Sequence, residues 1–181
     1  MEIQTTNLPG VLLIKANVFQ DNRGYFFESF NARLFREAGL PTEFVQDNQS
    51  KSVKNTLRGL HFQAPPHAQG KLVRVIRGKV YDIVVDIRKS SDTYGQYYGT
   101  ELSESNFHQL WIPEGFAHGF LTLEDDTIFA YKCTDFYNSA SERGLMWNDK
   151  DLNIDWGAAN PIISEKDKKN PLFKDFDSPF S

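Results

Sequence analysis

The chain has 181 residues, 40% of them hydrophobic and 24% charged, a profile that excludes disorder and fits one compact domain with a sizeable core. Its formal charge is −4 at pH 7, with 20 Lys and Arg scattered among 24 Asp and Glu, so nucleic acid has no basic face to bind. The single cysteine, Cys133, forbids an intrachain disulfide or a multi-cysteine metal framework and reads as a small buried hydrophobe. No run approaches the roughly 20 apolar residues of a membrane span. The start, Met-Glu-Ile-Gln-Thr-Thr-Asn, lacks signal-peptide character, and a cytoplasmic protein without membrane or nucleic-acid partners is the expectation.

Short runs rich in Val, Ile, Tyr and Phe, broken by Gly, Pro, Asn and Asp, predict a mainly β chain. The first strands fall at Val11–Val18 and Tyr25–Phe30. The one convincing helix follows: Asn31 as N-cap, Leu34, Phe35 and Ala38 on one face, and a stop at Gly39 before Pro41. Further strands are predicted at Phe44–Gln49, Leu57–Gln63, Lys71–Arg77, Lys79–Arg88, Tyr97–Leu102, His108–Ile112, Phe116–Leu123 and Ile128–Tyr137. Arg77-Gly78-Lys79 and Glu124-Asp125-Asp126 read as hairpin turns, which implies antiparallel neighbours. From Ser164 onward, Phe173, Phe176 and Phe180 suggest an irregular tail pinned to the barrel by aromatic anchors. The organisation expected is a single domain over 1–181, with an N-terminal arm over about 1–50, a barrel over about 51–137 and a C-terminal segment over about 138–181.

Strand alternation over Leu57–Gln63 puts Leu57, Gly59, His61 and Gln63 on one face and Arg58, Leu60 and Phe62 on the other, a separation that a local twist at Gly59 could relax. Farther on, Pro113-Glu-Gly115-Phe-Ala-His118 is a tight turn that delivers a histidine onto the next strand and resembles the second signature of the cupin barrels. In metal-binding cupins the first signature supplies a His-x-His pair; here the corresponding stretch is His61-Phe62-Gln63, and His67 lies beyond Pro65 and Pro66. With one imidazole replaced by an amide, too few good ligands remain, and a metal-free pocket is expected. An imidazole in such a pocket suits acid–base chemistry, because His titrates near neutral pH.

The pattern becomes specific when six ordered blocks are taken together. Phe19-Gln-Asp21-Asn-Arg23-Gly24-Tyr-Phe26-Phe-Glu28, Leu57 to Gln63, Gln69 to Val73, Val85 to Arg88, Ile112 to Phe120 and Tyr131 to Tyr137 resemble the motifs of the dTDP-4-dehydrorhamnose 3,5-epimerase family and together span residues 19–137, most of the chain. Asn55-Thr56 and Trp156-Gly157 depart from the usual Gly-Val and Trp-Pro of that family, at positions with no proposed catalytic role.

The resemblance implies an all-β, cupin-type jelly roll that needs no cofactor and epimerises C3 and C5 of a dTDP-4-keto-6-deoxy sugar on the way to dTDP-4-dehydro-β-L-rhamnose. It implies catalytic roles for His61 as base, Asp167 as the carboxylate that orients it, Tyr131 as proton donor and Lys71 beside the C4 oxygen. Without it, Asp167 would read as a solvated tail charge no better than Asp175 or Asp177, Tyr131 as strand packing and Lys71 as a surface lysine. For the nucleotide it implies Arg23 and Arg58 on the diphosphate, Tyr137 stacked on thymine, Phe26, Glu28, Gln46 and Asn48 along the nucleotide, and His118, Glu142 and Lys166 completing the site. It also implies a homodimer in which the N-terminal strand bearing Arg23 and Glu28 reaches into the neighbouring subunit's site. A single-site 3- or 5-epimerase and a silent nucleotide-sugar-binding cupin are the rival readings. A metal-dependent cupin oxygenase or isomerase is a third, and Gln63 argues against it.

Overall fold

Alternation of inward and outward side chains accounts for most of the architecture of the computed structural model, which describes residues 1–181. The strands are β1 (Glu2–Thr5), β2 (Leu12–Lys15), β3 (Phe19–Asp21), β4 (Gly24–Phe26), β5 (Gln46–Ser52), β6 (Thr56–Gln63) and β7 (Lys71–Arg77). They continue with β8 (Lys79–Asp86), β9 (Tyr97–Ser103), β10 (His108–Ile112), β11 (Phe116–Thr122), β12 (Thr127–Cys133), β13 (Glu142–Gly144) and β14 (Ile162–Ile163). One sheet runs β1-β2-β10-β7-β12-β5 and the other β13-β6-β11-β8-β9, with β14 added parallel to β6. The two sheets face each other as a jelly roll of the cupin type, the fold class expected.

Three apolar layers hold it together. Val73 and Val75 of β7, Val80 and Val84 of β8, Leu110 and Ile112 of β10, Phe116 and Phe120 of β11 and Phe129 of β12 fill the space between the sheets. Leu57, Leu60 and Phe62 of β6 point the other way, to the outer face of the second sheet, where Leu145, Leu152, Trp156 and the partly buried Phe173, Phe176 and Phe180 cover them. The aromatic anchors expected in the tail are therefore in place; a fully buried side chain such as Leu60 contributes about 1.5–3 kcal/mol, and the partly buried phenylalanines contribute less. On the outer face of the first sheet, Phe35 packs with Ile14, Leu40, Leu72 and Trp111.

Phe35 comes from helix α1 (Ala32–Glu37), which starts where expected: the Asn31 side chain accepts from the Arg33 and Leu34 N–H groups. Gly39, with φ +72°, ends it. Ala38, expected on the buried face, is exposed.

Both predicted hairpin turns are corrected. Strands β7 and β8, on either side of Gly78, lie in different sheets, and so do β11 and β12, on either side of Glu124-Asp125-Asp126. Each turn is a corner at which the chain crosses from one sheet to the other, and strands that alternate inward and outward look the same in sequence whether the turn folds back or rounds a corner. The sequential hairpins are β1–β2, β3–β4 and β8–β9. Strand limits also move. The predicted Val11–Val18 pairs only over Leu12–Lys15, the Tyr25–Phe30 run only to Phe26, the strand predicted at Phe44–Gln49 runs from Gln46 to Ser52, and β12 stops at Cys133. Strand β1 escapes sequence reading because its four residues are half-exposed and short. Phe27 leaves its strand to join an aromatic cluster with Tyr25 and Phe107.

Between β6 and β11 the register slips from His118↔His61 to Phe120↔Arg58. Gly59 sits in that bulge at φ +136°, and a Cβ on it would lie 2.5 Å from the Gly119 Cα, so only glycine lets the two backbones approach this closely. The bulge shifts the alternation by one residue. Arg58 and His61, expected on opposite faces, both line the cavity between the sheets, while Leu57, Leu60 and Phe62 share the outer cluster.

Candidate active site

The cavity on which Arg58 and His61 converge has a volume of about 510 Å³. Its walls come from both sheets. β6 and β11 bring Arg58, His61 and His118; β5, β7 and β12 bring Asn48, Lys71 and Tyr131 from across the barrel; the segment after β14 brings Ser164, Lys166 and Asp167. Eight residues singled out in the sequence thus share one space: His61, Asp167, Tyr131, Lys71, Arg58, Asn48, His118 and Lys166.

His61 and Asp167, 106 positions apart, are joined by a 2.6 Å hydrogen bond between Nε2 and Oδ1. The parallel pairing of Ile162 and Ile163 with Thr56 and Leu57 docks the tail on the strand that carries His61, and a 3-10 turn over Asp167–Lys169 then presents the carboxylate. With Nε2 engaged, Nδ1 is the ring nitrogen without a protein partner. Burial pushes the Asp167 carboxyl up, but the hydrogen bond and charge of His61, with hydrogen bonds from Ser164 and the Gly59 backbone, outweigh it and hold the group below the usual carboxylate range. Asp167 is therefore ionised at neutral pH, a state suited to orienting an imidazole.

Because the folded-state pKa lies below the unfolded value, Asp167 contributes stability that is complete above the ordinary carboxyl pKa of 3.8 and lost as the pH falls through the depressed value. Asp167→Asn should accordingly melt several degrees lower than the parent at pH 7, at about 2–4 °C per kcal/mol for a chain of this size. In melting scans the difference should begin to close below pH 3.8 and vanish once the pH is below the depressed value. A gap that stays constant across those scans would show that the charge contributes nothing.

A second imidazole–carboxylate pair lies beside the first. His118 Nε2 is 3.0 and 2.9 Å from the two oxygens of Asp82, which is fully buried. Burial pushes Asp82 up, against the pull of His118 and Lys71. Asp82 is one residue the sequence reading missed, although the signal was present: it occupies an inward position of β8 between Val80 and Val84, where a charge needs a partner. Ser164, which accepts from the Asp167 N–H at 3.1 Å, was missed as well, since nothing in its local sequence distinguishes it.

Across the cavity, Lys71 Nζ lies 6.0 Å from the Tyr131 ring centroid. Burial pulls the Lys71 ammonium down, opposed by Cys133, Asp82 and Glu142. Burial, helped by Cys133 and Glu142 and countered by Arg58, pushes the Tyr131 phenol up and keeps its proton on at neutral pH. An ammonium with few ligands of its own is suited to a negative charge that develops on substrate, and a protonated phenol to giving a proton away.

At the rim, the Tyr137 hydroxyl donates to Glu142 Oε2 at 2.8 Å, and Lys166 Nζ pairs with the same oxygen. Gln46 accepts the Tyr137 N–H at 2.8 Å and donates to Asn48 Oδ1 at 3.0 Å, so these residues form one connected edge. Arg58 donates to Ser52 Oγ. Arg23, Phe26 and Glu28 are not brought to this cavity. They lie on or just after the exposed β3–β4 hairpin, where Arg23 pairs with Asp21 and Phe26 is 66% exposed. Gln63 offers no ligand to the cavity, because its amide is taken up by backbone groups of two loops. No three or more His, Cys, Asp or Glu side chains are grouped to hold a metal ion.

A jelly-roll barrel of the cupin type with an imidazole–carboxylate pair on one wall and a phenol and an ammonium on the other defines a carbohydrate-epimerase class of site. The comparisons agree. The family model described as dTDP-4-dehydrorhamnose 3,5-epimerase matches residues 5–175. A relative from Shigella flexneri, called dTDP-4-dehydrorhamnose 3,5-epimerase, is 53% identical over 178 residues, covering 98% of each chain. The crystal structure of an enzyme of that name from Elizabethkingia anophelis superposes with a TM-score of 0.92 at 48% identity, covering 97% of both chains. A dTDP-6-deoxy-D-glucose-3,5-epimerase from Legionella pneumophila, in complex with dTDP-4-keto-L-rhamnose, gives 0.93 at 44% identity, covering 97% of this chain and 94% of the other. The chain belongs to the dTDP-4-dehydrorhamnose 3,5-epimerase family.

Proposed function

We propose that this chain converts dTDP-4-dehydro-6-deoxy-D-glucose to dTDP-4-dehydro-β-L-rhamnose by inverting C3 and C5, without a cofactor. The observation that carries the reading is the placement of a charged-partnered imidazole, His61, and a phenol, Tyr131, on opposite walls of one cavity. The C4 ketone acidifies both neighbouring carbons. In the gluco-configured chair H3 and H5 are both axial on the same ring face, so one base can remove either. His61 takes each proton, with Asp167 holding the ring and stabilising the imidazolium. Lys71 faces the enolate oxygen formed at C4, and Tyr131 returns a proton from the opposite face.

In the same reading Arg58, His118 and Lys166 take the diphosphate end, and Tyr137, with Gln46, Asn48 and Glu142, takes the thymidine. The chain works as one domain in the cytoplasm. Arg23, Phe26 and Glu28 serve the site of a second copy: the exposed hairpin that bears them, with Phe19 at 67% and Tyr25 at 56% exposure, has an apolar surface suited to burial in a homodimer. A helix long and apolar enough to cross a membrane is absent.

The test is solvent labelling. Substrate incubated with the protein in deuterated buffer should acquire deuterium at both C3 and C5, read by NMR. Label at one carbon only would make the protein a single-site epimerase; label at neither would leave a nucleotide-sugar-binding barrel.

A further inference from the structure

We infer that Gln63 is a positioning residue for nucleotide recognition, acting through Tyr137. The inference deepens the proposed function and rests on its reading of Tyr137 as the platform for the base.

Gln63 ends β6, two residues beyond His61, and is only 4% exposed. Its Nε2 donates to the His67 carbonyl at 2.6 Å and the Phe136 carbonyl at 3.1 Å, while its Oε1 accepts the Asn138 N–H at 2.7 Å. Phe136 and Asn138 are the residues on either side of Tyr137, so one buried amide grips the main chain immediately before and after the aromatic residue. Gln46 holds the Tyr137 N–H between them, and Glu142 holds the hydroxyl.

Tyr137 is 56% exposed and lies beyond the end of β12, outside any ladder that would fix it. An aromatic residue on an untethered loop would have to be ordered each time a base stacked on it, at a cost in affinity; a clamped one meets the base already in place. The clamp also spans the two ends of the substrate. The strand that aims the base at the sugar terminates in the side chain that fixes the nucleotide platform, which sets the separation between them.

A double-mutant cycle on the full-length protein tests this, with dTDP affinity measured by calorimetry beside steady-state kinetics. Gln63→Met keeps the length and removes every hydrogen bond. Gln63→Leu removes the same hydrogen bonds with a side chain of similar volume and no charge against the two carbonyls, and it carries the test if the methionine variant does not fold. Either variant should raise the dTDP Kd and the KM about tenfold with kcat within about twofold of the parent. In a Tyr137→Ala background, itself weakened for dTDP, the Gln63 substitution should add less than about twofold. An unchanged dTDP Kd in a folded Gln63 variant overturns the inference alone, and so does a full tenfold effect that persists without Tyr137. An unchanged Kd in Tyr137→Ala overturns the platform reading and the inference with it.

Discussion

Replacing His61 with Asn should lower kcat/KM by about 10³–10⁴-fold, the upper part of the span that general acid–base catalysis commands, while dTDP binds within about threefold of the parent. Asparagine keeps a polar group of similar breadth against Asp167 but cannot accept a proton at neutral pH. The loss equals about 4–5.5 kcal/mol of transition-state stabilisation, far above anything that repacking at a half-buried position would cost. Stopped assays on the 4-keto sugar nucleotide, with calorimetric titration of dTDP, separate the two effects. A folded variant with normal turnover would remove His61 from the mechanism. A variant that loses dTDP binding in parallel would make His61 a binding group, because Arg58 and Lys166, which the proposed reading gives to the diphosphate, are untouched.

Tyr131→Phe should separate two events that the parent enzyme performs together. Without the phenolic proton, abstraction by His61 continues but delivery to the opposite face fails, so net epimerisation should fall by about 10²–10³-fold. Exchange with solvent should fall much less, because an imidazolium formed on one face can return a solvent-derived proton to that face. In deuterated buffer the recovered substrate should then carry label with its configuration unchanged. NMR of the sugar protons reads both quantities in one sample. Parallel loss of exchange and epimerisation would argue that Tyr131 acts before or during abstraction; loss of neither would reduce it to packing beside Phe129, its neighbour at 6.1 Å.

How far the sequence carries these expectations depends on how local each feature is. The N-cap of α1 was legible because Asn31 and the groups it caps are adjacent in the chain, and the strand cores because alternation is a period-two signal. The corners at Gly78 and at Glu124-Asp125-Asp126 were misread as hairpins because strand pairing is a long-range choice that the turn residues do not encode. The His61–Asp167 bond spans 106 positions, and composition alone could not choose Asp167 over Asp175 or Asp177; the resemblance of Ser164-Glu165-Lys166-Asp167 to the family's carboxylate stretch made the choice, and the structure places the pair at 2.6 Å. Gly59 marks the boundary between the two kinds of knowledge. Its presence in a strand signalled a distortion, but only the approach to Gly119 shows that the distortion turns Arg58 and His61 onto the same side. Asp82 was readable in principle from its inward position, yet its partner His118 arrives on a strand 36 residues later.

The strand that bears His61 has β11 on one side, and on the other nothing but the short β13 and the two residues of β14. Those two pieces come from the C-terminal third of the chain, and β14 leads directly into the turn that holds Asp167. The same stretch of polypeptide therefore brings Asp167 to His61 and covers the free edge of a sheet. An edge left bare would present unpaired N–H and C=O groups to any other extended chain. Loss of this stretch, whether by nicking or by truncation, would open that edge to pairing with another extended chain at the same time as it removed Asp167 from His61.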